Sequence, residues 1–466
     1  MAHRYKISLF IFRRDLRLED NTGLIAALQQ SASVLPCFIL DPRQAGEENE
    51  YRSVRSITFT LNSLTDLDEQ LQRHGGRLYR FYGVAHELLE RILDEVACDA
   101  VFVNRDYTPF SIRRDELLEQ VCNRHTVSFH SFGDALIHEP EDILSQNGSP
   151  YVVFTPFFKK ASRITMRSVT SLPSGIWHTK TNPLEQQAQL YYRQISEPMQ
   201  SAMHTCGGRK EGVVLLDDLS ILKNYQVTRD IPALPTSNLS AHLKFGTVSI
   251  REVLHAIEAS LGMFHPLVKQ LYWRDFFTHV AYHSPFVFGH AYQERFDSLA
   301  WEHNVTNFKR WCSGTTGFPI VDAGMRQLNE SGYMHNRVRM IVASFLTKDL
   351  RIDWHWGEKY FAQQLIDYDP AVNNGNWQWV ASVGCDAQPY FRIFNPWLQQ
   401  KKFDPDATYI KRWIPELRST SPSIIHAWYH DKHVTRVLVY PRPMINHAQE
   451  VAYTKEWFRK HRQAKD

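Results

Sequence analysis

None of the six cysteines in this 466-residue chain stands in a C-x-x-C pair. Cys37, Cys98, Cys122, Cys206, Cys312 and Cys385 are scattered, which points to neither a zinc site nor a redox dithiol and fits reduced thiols in a cytosolic protein. Long apolar runs are missing too. The run that opens the chain, Ile7 to Phe12, stops at Arg13 and Arg14, too soon for a signal peptide or a membrane span. A cytoplasmic monomer of bacterial or archaeal type, with no membrane partner, is expected. Charge of one sign is scarce. The formal net charge is +3, so no diffuse polybasic character draws the whole chain to nucleic acid. Residues 401–466 do carry 13 Lys and Arg against 7 Asp and Glu, and that local excess suits either a nucleic-acid patch or a solvated helical surface. Neither G-x-G-x-x-G nor a P-loop occurs, so no glycine loop for phosphate is visible.

Apolar and aromatic residues are plentiful. Hydrophobic residues make up 43% of the chain and aromatics 13%, with 12 Trp, enough for two or three cores and for stacking surfaces. In the first part, short apolar runs alternate with amphipathic stretches. Strands are expected at 6–12, 34–40, 78–82, 100–103 and 126–132. Helices are expected after the charged loop 13–21 and at 54–74, 85–96 and 113–124. That alternation predicts a parallel, Rossmann-like α/β domain over residues 1–133. Residues 134–200 are rich in Gly, Pro, Ser and Thr and read as a long ordered connector. From 201 to 466 strand signals are scarce, and helical patterns recur at 249–260, 266–283, 322–329, 335–348 and 359–367, predicting an all-α domain.

Four stretches carry candidate chemistry. The densest is Asp367 to Pro396, D-Y-D-P-A-V-N-N-G-N-W-Q-W through P-Y-F-R-I-F-N-P. Carboxylates at Asp367 and Asp369 precede Asn373, Asn374 and Gly375, and Trp377 and Trp379 follow. Amides in a glycine-containing segment can approach a planar ligand closely, and large aromatics beside them suit stacking. The second stretch, Thr236 to Ser249, combines hydroxyls with a helix-start signal, which serves a phosphate or a plain N-cap. In the third, Gln270, Trp273 and Arg274 fall at i, i+3 and i+4 on one helix face. The fourth, G-Y-M-H-N-R-V-R-M at Gly332 to Met340, is a basic helix start.

Together with F-R-R-D-L-R-L-E-D-N at Phe12 to Asn21, these stretches resemble the photolyase/cryptochrome family from about residue 6 to 464, nearest to class I-type photolyases for cyclobutane pyrimidine dimers. The resemblance implies an FAD-binding helical domain. Tyr225 and the segment Thr236, Ser237, Asn238, Leu239, Ser240 would hold the pyrophosphate. Arg339 and Asp367 would pair beside the isoalloxazine, with Asp369 and Gln270 also near the cofactor. Asn373 would face N5, where a neutral amide gives no proton. Trp377, Trp354 and Trp301 would form the electron-transfer chain. Trp273, Arg274, Asn336, Met340 and Trp379 would meet a flipped-out lesion, and Arg229, Arg392 and Lys402 the DNA backbone.

Two departures bear on the reaction. Dimer-repairing relatives usually carry Glu where Gln270 stands, and Gln at this position is similar to the (6-4) photolyases and animal cryptochromes. The (6-4) enzymes, however, place a His pair where this chain has Asn336 and Met340. The resemblance therefore implies blue-light repair of dimers in double-stranded DNA with a lowered yield. A cryptochrome-like photoreceptor is the alternative, and a relative of the DASH type preferring single strands is a third. No cryptochrome-type C-terminal extension is expected. For the antenna chromophore, Thr108 replaces a Glu of folate binders, while Asp106 and Lys244 are similar to contacts of 8-hydroxy-deazaflavin. Deazaflavin, folate and an empty pocket all remain open.

Overall fold

The computed structural model describes residues 3–185, 188–189, 191–192, 203–430 and 440–463. By internal contacts the chain divides into two units. One comprises Met1–Gln200, Thr205–Lys223 and Ser237–Pro285, the other Ser201–His204, Asn224–Thr236 and Phe286–Asp466. These units cut the chain elsewhere than the change in periodicity does, because helical residues 237–285 pack with the first unit.

The first unit is built on five parallel strands, β1 (Tyr5–Phe12), β2 (Ser31–Leu40), β3 (Tyr79–Tyr82), β4 (Ala100–Asn104) and β5 (Ser128–Phe132), in the order β3-β2-β1-β4-β5. This is the doubly wound, Rossmann-like order. Strands covered on both faces read as unbroken apolar runs, and β4 is buried at all five positions. The helices Thr22–Gln30, Val54–Arg73, Ala85–Glu95 and Pro109–Arg124 connect the strands. Asn21, Ser53 and Thr108 cap three of them through side-chain oxygens, each satisfying an otherwise orphaned N–H.

The connector contains a helix that the sequence pattern did not show, Phe154–Ala161. Phe154, Phe157 and Ala161 are its buried face, and this apolar stripe, too short to display a period, folds because it packs on the Pro266–His283 helix. Phe154 lies flat on Trp273, with ring centroids 3.7 Å apart and planes at 8°.

The second unit is helical around one large apolar core. Three expected helices change their limits here. The helix expected at 322–329 runs Pro319–Ser331, since Pro319 is preorganised for a first turn. The one expected at 359–367 runs Trp354–Gln364, because Asp353 caps it by accepting from His355 N–H at 3.0 Å. The 335–348 pattern becomes Asn336–Ser344 followed by a π-helical turn, Phe345–Asp349. All six cysteines are free. Among the described residues no helix is long and apolar enough to cross a membrane, and no cluster of metal-ligating side chains occurs.

A buried ionic cluster fastens the first unit. Arg17 pairs with Asp134 at 2.7 Å, and Arg251 pairs with Asp20 and Asp134, both at 2.7 Å. All four side chains are at most 3% exposed. Asp20 sits at φ 52°, a left-handed conformation that Asp tolerates better than most residues. There its carboxylate also accepts from Ser249 Oγ and Thr170 N–H. Burial alone would raise the Asp134 carboxyl, but Arg17 and Arg251 outweigh it and hold it far below the usual range. Asp134→Asn leaves two buried guanidiniums short of an anion and should lower stability by about 3–5 kcal/mol in urea unfolding at neutral pH. A depressed carboxyl stabilises fully above its unfolded value of about 3.9 and loses that stabilisation as pH falls below it. The gap between wild type and Asp134→Asn should therefore narrow in acid.

Candidate active site

In the second unit the Pro370–Ala381 helix carries Asn373, Trp377 and Trp379. Both of its ends are fixed. At the start, Pro370 fills the first helical position and the Asp369 carboxylate accepts from Val372 N–H at 3.1 Å. At the end, Lys348 donates from Nζ to Ala381 O at 2.9 Å and to Ser382 Oγ at 2.8 Å. Lys348 is wholly enclosed, and burial pushes its amine well below the ordinary value. Asn373 is oriented by donating its amide N–H to Glu358 O at 3.1 Å.

The three expected relay tryptophans belong to neighbouring elements of this unit. The Trp354–Gln364 helix presents Gly357 to the Trp377 ring, and a Cβ there would meet the indole at 2.2 Å. Glycine is thus what lets the helix approach. Trp354, one turn earlier, is 1% exposed. Trp301 is linked to the segment before that helix by the Glu302–Ile352 bridge and the bond from Glu302 N–H to Arg351 O, 2.8 Å. His355 stacks on Trp354 with centroids 3.7 Å apart. Burial disfavours its imidazolium, but Asp353, bonded to Nδ1 at 2.7 Å, and Glu358 outweigh that and hold the pKa above 6.5.

The Asn336–Ser344 helix supplies the polar groups. Arg339 donates from Nη2 to Asp367 Oδ2 at 2.9 Å and from Nε to Met334 O at 2.7 Å. The other oxygen, Asp367 Oδ1, is buried and has no hydrogen-bond partner among the described residues. Asn336, exposed, and Met340, half-buried, stand one turn apart on this helix. Tyr225 is buried at the start of the short Tyr225–Thr228 turn, and burial raises its phenol. Thr236 Oγ1 lies 3.3 Å from Tyr333 Oη, and the Arg339 guanidinium lies over the Tyr333 ring. Arg229 and Trp379 are half-buried, while Arg392 and Lys402 are exposed.

In the first unit Gln270, Trp273 and Arg274 share the Pro266–His283 helix, all half-buried. Phe154 covers one face of Trp273. Arg274 is engaged within the unit, donating to Asp275 Oδ1 and Ala135 O, both at 2.9 Å. Ser237, Asn238 and Leu239 lead into the six-residue helix Ser240–Phe245, with Asn238 left-handed at φ 53°. Leu239, not a hydroxyl, is the residue at its N-cap. The capping box belongs instead to the next helix, where Ser249 and Glu252 cap Ile250–Leu261. Asp106 pairs with Arg14 at 3.0 Å. Burial would raise its carboxyl, but Arg14, Lys244 and Arg114 hold it far below the usual range. The adjoining cavity, lined by Arg13, Asn104 and Asp106 among others, measures about 10 Å³, room for one water.

Phe154 and His355 escaped the sequence reading. The F-T-P-F-F spacing in an otherwise polar connector is a signal for the first. For the second, adjacency to Trp354 says nothing about stacking.

Two family models match successive parts of the chain. Residues 8–174 match the family model described as DNA photolyase, and residues 267–460 that described as FAD binding domain of DNA photolyase. The deoxyribodipyrimidine photo-lyase of Alkalihalophilus pseudofirmus is 36% identical over 461 residues, covering 94% of this chain and 95% of its own. That of Escherichia coli is 36% identical over 457 residues, with 94% and 95% covered. Among solved structures, an archaeal photolyase from Sulfolobus tokodaii, described with two FAD molecules and a light-harvesting cofactor, is 43% identical with a TM-score of 0.86 over 97% of this chain and all of that one. A Synechocystis cryptochrome is 28% identical, with a TM-score of 0.87 over 98% of this chain and all of that one. With relatives this similar over nearly its whole length, and with an FAD-binding domain of the photolyase type in its helical half, this chain belongs to the photolyase/cryptochrome family.

Proposed function

We propose that the protein repairs cyclobutane pyrimidine dimers in double-stranded DNA under blue light, using FAD. The enzyme class is that of its curated relatives, deoxyribodipyrimidine photo-lyase. One observation carries the choice of lesion. Asn336 and Met340 stand one turn apart on the helix whose Arg339 holds Asp367, at positions where (6-4) repair needs proton-transferring histidines. An amide and a thioether cannot move that proton, whereas splitting a cyclobutane ring needs none.

The residues of the second unit fit the cofactor. A guanidinium, carboxylates and an oriented amide meet the mixed donor and acceptor edge of an isoalloxazine. Asp367 Oδ1, without a hydrogen-bond partner among the described residues, is an acceptor short of a donor. Arg339, Asp367, Asp369, Asn373, Tyr225 and Thr236 would hold the group, joined by Ser237, Asn238, Leu239, Ser240 and Gln270, as the family resemblance implies. When bound and reduced, FAD supplies the electron that light drives into the dimer.

The protein binds, orients and polarises. A base lesion inside a duplex has to be extruded before chemistry. Trp273 and Trp379 offer aromatic faces for it, Arg229, Arg392 and Lys402 charge for the backbone. Asn336 donates a hydrogen bond to a pyrimidine carbonyl that gains negative charge, an interaction stronger in the transition state than before it. Gln270 donates likewise but gives no proton. Trp377, Trp354 and Trp301 would restore the reduced cofactor by passing electrons inward. For the antenna we favour a flavin-type ring, deazaflavin or a second FAD, near Asp106 and Lys244. The Sulfolobus structure with two FAD molecules supports that class. The small cavity beside Asp106 does not enclose such a ring, so the choice rests on charge. The functional division would be 1–133 for the antenna, 134–200 as connector and 201–466 for FAD and DNA, in a cytoplasmic monomer.

An oligonucleotide holding one thymine dimer should regain its thymine absorbance under blue light in the presence of the reduced protein. No recovery with FAD bound and reduced would favour the cryptochrome-like photoreceptor. Gln270→Glu should raise the yield per absorbed photon, measured by the same recovery against photon dose. An unchanged or lower yield would remove Gln270 as the limiting group.

A further inference from the structure

Trp301 ends the relay as assigned, yet another indole rests on it. Trp457, on the His447–Gln463 helix, meets Trp301 edge to face, with ring centroids 5.2 Å apart and planes at 73°. We propose that Trp457 is a fourth member of the electron relay and the point at which the oxidising equivalent reaches solvent. The inference rests on the reading of Trp377, Trp354 and Trp301 given above.

Three observations carry it. Contact comes first. Two touching indoles have similar potentials, so a hop between them meets little thermodynamic barrier. The second is access. Trp377 also has an indole neighbour, Trp311, at 6.2 Å. Trp311 is fully buried and donates its Nε1–H to Val342 O at 3.0 Å, so a radical cation there has no water to take its proton. Trp457 is half-buried, as Trp301 is, and does. The third is fixation. The helix that bears Trp457 is tied to the π-helical turn and the residues after it. His447 Nδ1 bonds Asp349, Thr454 Oγ1 donates to Lys348 O at 2.5 Å, and Arg351 pairs with Glu450 at 2.5 Å. Phe458, fully buried, has Lys348 Nζ over its ring and stacks on Tyr390. Phe458 is therefore the fully buried anchor, and Trp457 packs half-buried at the edge of the same core.

In the step, the Trp301 radical cation takes one electron from the neutral Trp457 indole. Trp301 is restored, Trp457 becomes the radical cation, and no bond between them forms. Trp457 then releases its Nε1 proton to water. An external thiol returns an electron and a proton to the resulting neutral radical.

The test is laser-flash transient absorption on the flavin-loaded protein, reading the tryptophan radical and not repair. Trp457→Phe should shorten the lifetime of the radical several-fold. Trp457→Tyr, which keeps an oxidisable ring of similar shape, should replace the late indole signal by a tyrosyl one, an exchange that a packing role would not produce. Unchanged decay in Trp457→Phe, with no tyrosyl signal in Trp457→Tyr, would overturn the proposal. Trp301→Phe separates the two readings. A long-lived radical that survives it would overturn the relay itself, and one that vanishes leaves the relay standing whatever Trp457 does.

Discussion

Two buried guanidiniums, Arg17 and Arg251, set the terms for the first unit. Neither can be enclosed without anions, and Asp20 and Asp134 are the anions placed there. The requirement reaches along the chain. Arg17 belongs to the charged motif after β1, Asp134 to the first residues beyond β5, and Arg251 to a helix start 231 residues from Asp20. A second polar group extends the arrangement to the strand ends. Asn104, closing β4, donates to Asp15 and Asn21 and accepts from Gly23 N–H. The sequence run F-R-R-D-L-R-L-E-D-N is thus a set of buried partners for three other parts of the chain.

The second unit solves a related problem with one helix. Pro370–Ala381 must present an amide and two indoles in fixed directions, and its termini are the points where a helix loosens. Asp369 satisfies one end, and the enclosed Lys348 amine the other. Placing a lysine there without a carboxylate costs its charge much of its solvation. The π-helical turn that carries Lys348, a feature often found where function bends a helix, delivers the amine to that position. Gly357 then brings the next helix against Trp377.

The parallel sheet was legible because strands buried on both faces leave continuous apolar runs, and their edges fell within a few residues of the expected ones. The helix Phe154–Ala161 was not, since two turns are too few to show a period among Ser, Thr and Pro neighbours. Helix limits shifted where a cap decided them, at Asp353 and Pro319. The candidate site was legible as residue types through family resemblance. What the local sequence does not encode is who faces whom. Arg17 meeting Asp134, Phe154 covering Trp273, and Trp457 resting on Trp301 all join residues far apart in the chain, and even His355 beside Trp354 gave no sign of the stack between them.

The ionic cluster also limits how this protein can be taken apart or recombined. The stretch 1–133 has the look of a portable module, with its own complete sheet. Cut there, however, it would retain Arg17 and Asp20 and lose Asp134 and Arg251. An exchange of this segment between relatives has to carry matching charges on both sides of the junction. The boundary that strand and helix patterns suggest therefore runs through this ionic cluster.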